Sequence, residues 1–162
     1  IKARVWFEWG RARDPTDAAA VVAWADFAWR SNERPAALSA LDALVGARPD
    51  DARGWHALGL MRIRAGLHTE ALPALGRAVE LAPDEPRYVY VMAVAEHDLG
   101  NREGGLRRLR ALAEARPGYR PATETLQAWL SPRDRPASAS RPPAAVSSPA
   151  IETPPTDTGV LP

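Results

Sequence analysis

The sequence predicts an all-α fold made of short antiparallel helix pairs repeated along the chain. Three observations predict it. Pro15, Pro49, Pro83 and Pro117 recur every 34 residues. Asn32, Gly66 and Gly100, residue types that tolerate a left-handed turn, share that period. So do Ala37, Ala71 and Gly105, and likewise Leu41, Leu75 and Leu109, which sets small and large residues at fixed points of each unit. Several independent registers with one period of this length are the signature of stacked supersecondary units. Each unit reads as helix, turn, helix, then a Pro-marked turn into the next.

The elements follow in order. Ile1, Ala3, Val5, Phe7 and Trp9 alternate with mostly polar residues and would suggest a strand if read alone. The register places Ala3, Phe7, Gly10 and Pro15 in the slots of Ala71, Leu75, Ala78 and Pro83. Residues 1–13 are therefore expected to be the second helix of a unit whose first helix precedes Ile1. The first whole unit spans 18–51. Thr16 is its expected N-cap, with Asp17 beside the positive helix end. Val21, Trp24, Ala25 and Ala28 form its packing stripe, and Leu38, Leu41, Leu44 and Val45 that of its second helix. Pro35 suits a first turn, where a missing N–H costs nothing.

The second unit spans 52–85, capped by Asp50 or Asp51, with Gly66 ending its first helix. Pro73 sits near the limit of where a helix tolerates proline. The third spans 86–119, with Asp84 as expected cap and Pro86 in the first turn. Gly104 and Gly105 open its second helix and should weaken it by roughly 1 kcal/mol each relative to alanine. A last helix, Pro121 to Leu130 within residues 120–130, is expected to close the array. From Ser131 the composition changes. Residues 131–162 hold eight of the sixteen prolines and no aromatic residue, too little apolar surface to offset the entropy of ordering. They predict an extended arm of polyproline II character, lying on a partner or on the repeats.

Within 52–85, Trp55, Leu58, Gly59, Ala71, Leu75, Ala78 and Pro83 fall at positions 4, 7, 8, 20, 24, 27 and 32 of the unit, a W-x2-L-G, A-x3-F-like, Pro pattern. On these positions residues 1–130 resemble the tetratricopeptide-repeat family. The resemblance implies a right-handed α-solenoid with about three full repeats, a partial one before them and a capping helix after. It further implies that first helices line a concave groove for an extended peptide or partner helix, through positions 2, 5, 9, 12 and 13. Those positions hold Val22, Asp26, Trp29 and Arg30 in the first repeat. They hold Arg53, His56, Leu60, Ile63 and Arg64 in the second, and Arg87, Tyr90, Val94 and His97 in the third. The set is apolar and aromatic with basic residues on it, suited to a segment with apolar anchors and negative charge. Some members grip a terminal carboxylate with Lys and Asn; Val22 and Asp26 stand in those slots here.

Two further surfaces are candidates. Trp6 and Trp9 lie off the packing stripe of their helix, and exposed tryptophans anchor interfaces. Arg102, Arg107, Arg108, Arg110, Arg116 and Arg120 gather near the end of the array.

Net charge is +1, so no global field draws the chain to nucleic acid or anionic membrane, and no apolar run reaches the roughly 20 residues of a membrane span. Zero cysteines exclude disulfides and thiolate metal sites. The chain lacks a phosphate-binding glycine loop, G-x-S-x-G, H-E-x-x-H and zinc-ligand spacing. His56, His68 and His97 have no carboxylate sharing a helical face with a second histidine. Neither a catalytic residue, a metal nor a cofactor is expected.

The expectation is a non-enzymatic interaction scaffold or assembly subunit of a multi-subunit complex. Its partners would be other proteins, with peripheral membrane association open. The arginine cluster offers a rival reading, docking on RNA or anionic membrane, and a third is the repeat segment of a longer enzyme. One lysine among 21 basic residues, with abundant alanine, suggests a high-GC bacterial genome. The compartment, bacterial cytoplasm or periplasm, is left open.

Overall fold

The computed structural model describes Asp14 and residues 16–131. The partial repeat expected at 1–13, with Trp6 and Trp9, and the Pro-rich stretch from residue 132 lie outside the described residues.

Among the described residues seven helices follow one another: α1 Ala18–Arg30, α2 Arg34–Ala47, α3 Ala52–Arg64, α4 His68–Leu81, α5 Pro86–Asp98, α6 Arg102–Ala115 and α7 Arg120–Leu130. First helices begin at residues 18, 52 and 86, and α7 begins 34 residues later at 120. None is long and apolar enough to cross a membrane.

Caps and turns are local chemistry. Asp17, not Thr16, caps α1, its carboxylate accepting from the amides of Ala19 and Ala20. Thr16 is drawn away to Asp14, donating its hydroxyl at 2.7 Å. Asp51 caps α3 in the same way, through Arg53 and Gly54. Glu85 rather than Asp84 caps α5, because Pro86 takes the first helical position and fixes the preceding residue in the extended conformation a cap needs. Asn32, Gly66 and Gly100 all have positive φ, 65°, 78° and 106°. Across each, the next amide donates back to the helix, Glu33 to Ala28, Leu67 to Arg62 and Asn101 to Glu96, all at 2.8 Å. This left-handed cap reverses the chain and pairs each first helix with its second.

Among the described residues two clusters fill the interior. One joins α1 to α4 through Val21, Trp24, Ala25, Leu41, Leu44, Leu58 and Met61. The other joins α5 and α6 to α7 through Ala93, Leu109, Leu112 and Ala122. Within a repeat the helices approach at positions 8 and 20. A Cβ on Gly59 would stand 2.6 Å from Leu75 Cγ, and one on Gly105 would stand 2.5 Å from the Ala93 carbonyl oxygen. Gly105 thus costs helix propensity and is required nonetheless, because the obstacle is backbone and cannot swing aside.

Gly76, in the interior of α4, has nothing within 4 Å of its absent Cβ. Gly76→Ala should therefore stabilise the chain by roughly 0.5–1 kcal/mol. Gly105→Ala should lower stability by about 1–2 kcal/mol, overpacking outweighing the propensity gain. Urea unfolding followed by circular dichroism checks both; a more stable Gly105→Ala variant would contradict the close approach.

Candidate peptide groove

The first helices α1, α3 and α5 leave one face uncovered, and two adjoining clefts open there. The larger, about 710 Å³, is lined by Val22, Asp26, Arg30, Arg53, His56, Leu60, Arg64 and Arg87, together with Ala19, Ala23, Ala57, Met61, Glu85 and Tyr88. The second, about 480 Å³, takes Leu60, Ile63, Tyr90 and Val94 from the expected set and adds His68, Val91, Ala95, Asp98 and Leu99. Leu60 is common to both.

The added residues carry a pattern. Ala23, Ala57 and Val91 occupy position 6 of their repeats, and Met61 and Ala95 position 10. Each follows a groove position by one residue. A helix turns about 100° per residue, so a wide groove takes that neighbour as well. Ala19 and Asp98 stand at positions 2 and 13, and adding positions 6 and 10 to the repeat register would have found most of the rest. Tyr88, at position 3, carries no such signal.

Trp29 and His97 line neither cleft. Trp29 packs on the α1–α4 core with the Arg34 guanidinium 5.4 Å above its ring. His97 stacks on Trp129 of the capping helix, ring centroids 3.7 Å apart and nearly parallel, and its Nδ1 lies 3.0 Å from Asp98. Tyr90 is shared: it faces the apolar cleft while its hydroxyl bonds Thr125 of α7 at 3.1 Å.

Charge in the large cleft is uneven. Asp26 is held by two arginines, Arg30 one turn on and Arg64 at 3.4 Å. The Arg53 and Arg87 guanidinium groups have no hydrogen bond or ion pair among the described residues. The C-terminal arginines divide as well. Arg108 forks onto Glu96 with bonds of 2.9 and 3.0 Å, which hold its guanidinium above its ordinary pKa. Arg120 bonds Glu124, and Arg116 reaches the Asp84 carbonyl. Arg102, Arg107 and Arg110 are exposed. The expected cluster is therefore half engaged in intramolecular contacts. Among the described residues no group of three His, Asp or Glu side chains gathers as metal ligands.

His56 is the unusual residue. It is 5% exposed, the one buried polar or charged side chain among the described residues, and neither ring nitrogen has a hydrogen-bond partner there. The Tyr88 ring covers it, centroids 4.4 Å apart and inclined by 31°. Burial, aided by the nearby Arg87 charge, pushes its pKa down to about 4 from 6.5. A buried polar group without a partner costs about 1–3 kcal/mol.

No protein-family profile and no curated protein sequence matches the chain. Solved structures do. A crystal structure of MamA superposes with TM-score 0.64 at 16% identity, covering 75% of this chain and 71% of that one. YrrB, described as a TPR protein with an unusual peptide-binding site, superposes with TM-score 0.62 at 17% identity over 74% of this chain and 62% of its own. An O-GlcNAc transferase mutant from Thermobaculum terrenum reaches 31% identity and TM-score 0.60 over 70% of this chain, which spans 22% of the transferase.

The low pKa makes His56 a pH-dependent element. Its folded pKa lies below the unfolded one, so the unfolded chain binds the extra proton and stability falls as pH drops from 6.5 toward 4. The full loss is about 3 kcal/mol. Unfolding free energies measured between pH 7 and 4.5 should decline, and a His56→Leu variant should show a flatter profile over that window. Equal slopes in the two proteins would remove His56 as the source.

Helix pairs at a 34-residue spacing, a left-handed cap after each first helix, small residues where the helices cross and the match to solved solenoids agree: the described residues have the fold of a tetratricopeptide-repeat solenoid.

Proposed function

We propose that this chain is a non-enzymatic protein-interaction module, a scaffold or assembly subunit that holds an extended partner segment along α1, α3 and α5. The observation that carries this is the pair of adjoining clefts on the uncovered face, one charged and one apolar, sharing Leu60. Their lining fits a segment with acidic residues at one end and apolar anchors at the other. The likeness to YrrB, described as having an unusual peptide-binding site, supports a peptide as ligand. Residues 131–162 are proposed as an extended docking arm to a second surface of the same complex. The transferase likeness leaves room for such an array inside a longer enzyme, in which its role would still be to present a partner or substrate segment.

A random-peptide display selection against the full chain tests this. Selected peptides should combine apolar and acidic residues. A Leu60→Glu, Val94→Glu double variant should keep its helical circular dichroism and lose at least about tenfold in affinity, the worth of one lost apolar anchor on each side of the shared wall. Selection of no peptide, or of peptides indifferent to the double variant, would sink the groove reading.

A further inference from the structure

The large cleft contains a buried polar group with no hydrogen-bond partner and, beside it, two arginines without an ion-pair partner among the described residues; the carboxylates of Asp50 and Asp51 lie in the adjoining hollow with Arg53 and Tyr88. His56 occupies position 5 of its repeat, where the first repeat has Val22 and the third Tyr90, so the fold does not demand an imidazole there. Its two ring nitrogens are buried and unpartnered. Of the charged groups around it, Asp26 on α1 is taken by Arg30 and Arg64. Glu85 is taken by the start of α5, accepting from the Arg87 amide at 3.3 Å. That leaves Arg53 on α3 and Arg87 on α5, both exposed, whose guanidinium groups are unpaired among the described residues.

Tyr88 is the movable part. It is half-buried, it covers His56, and its hydroxyl makes no hydrogen bond among the described residues. Tyr88 lines, with Ala19 and Arg53, both the large cleft and a hollow of about 420 Å³ bounded by Asp17, Arg48 and Asp51. Tyr88 belongs to neither core cluster, so rotation of the ring toward that hollow would uncover the imidazole without opening either of them.

We propose that the His56–Tyr88 stack is a closed subsite for the side-chain carboxylate of an acidic residue in the bound segment. The carboxylate seats between Arg53 and Arg87, moves the Tyr88 ring aside and accepts a hydrogen bond from the His56 N–H. The subsite rests on the groove reading and deepens it, placing the acidic residue of the ligand at the N-terminal ends of α3 and α5 and its apolar anchors toward Ile63 and Val94. Charge complementarity carries the choice of ligand: four arginines face two carboxylates in this cleft, and both carboxylates are already engaged.

The test uses the full chain uniformly labelled with nitrogen-15 and carbon-13. Three probes are titrated: Ac-Leu-Glu-Leu-Leu-NH2, its glutamine counterpart, and the glutamine peptide with a free C-terminal carboxylate. The glutamate peptide should shift the His56 ring nitrogens and the Tyr88 ring protons. It should raise the His56 pKa above about 4, because a bound carboxylate favours the protonated ring. It should bind about tenfold more tightly than the glutamine peptide. In a His56→Leu variant with unchanged helical signal, that preference should shrink several-fold. An unmoved His56 ring while Val22 and Leu60 respond overturns the subsite and leaves the groove. A His56 shift seen only with the free terminal carboxylate overturns the side-chain assignment. No response anywhere in the two clefts overturns the groove reading and the subsite with it.

Discussion

The array depends on how closely the two helices of a repeat can cross. At positions 8 and 20 stand Ala25 and Ala37, Gly59 and Ala71, and Ala93 and Gly105, all buried. Small side chains there let one backbone lie against its neighbour, and at Gly105 the approach is too close even for a methyl group. Leu41, Leu75 and Leu109, four residues further along each second helix, are then drawn fully out of water. The second helices are committed to covering one side of the first. What they leave uncovered, the outer face of α1, α3 and α5, is the groove.

That geometry also decides which arginines are free. The chain is nearly neutral, yet its charges are not evenly paired. Arg62 reaches Asp42, Arg108 reaches Glu96 and Arg64 reaches Asp26, each pair bridging two helices. Such partially exposed pairs contribute modestly to stability and more to fixing how neighbouring helices sit. In the large cleft Arg53 and Arg87 escape this neutralisation, and they do so beside an imidazole that burial keeps uncharged at neutral pH. A cleft with uncommitted cations and an unsatisfied donor is under-satisfied alone, and a ligand carboxylate would complete it.

The fold was largely legible in the sequence because its determinants are local and repeated. Asn32, Gly66 and Gly100 announce the left-handed caps, and the 34-residue spacing overrides the ambiguity of any single helix. Caps were legible only to within one residue, since Thr16 or Asp17 and Asp84 or Glu85 are chemically equivalent candidates; which is used depends on a neighbouring proline or a competing side-chain bond. The glycines at 104 and 105 look like defects when helix propensity is the only measure. Packing against Asn101 and Ala93 gives them a reason.

The groove divides along the same line. Its general course follows from the register, because residues four apart on a helix share a face in every repeat. Trp29 and His97 share that register and are nevertheless claimed by packing, one by the core and Arg34, the other by Trp129 of α7. Tyr88 joins the groove from outside the register by folding over His56. The sequence by itself determined where each helix begins and turns, since those are properties of one residue and its near neighbours. Only the tertiary structure decided which side chains of that face remain exposed, paired or buried. Those outcomes rest on contacts between helices some 12 to 38 positions apart, set by the superhelical stacking rather than by any local signal.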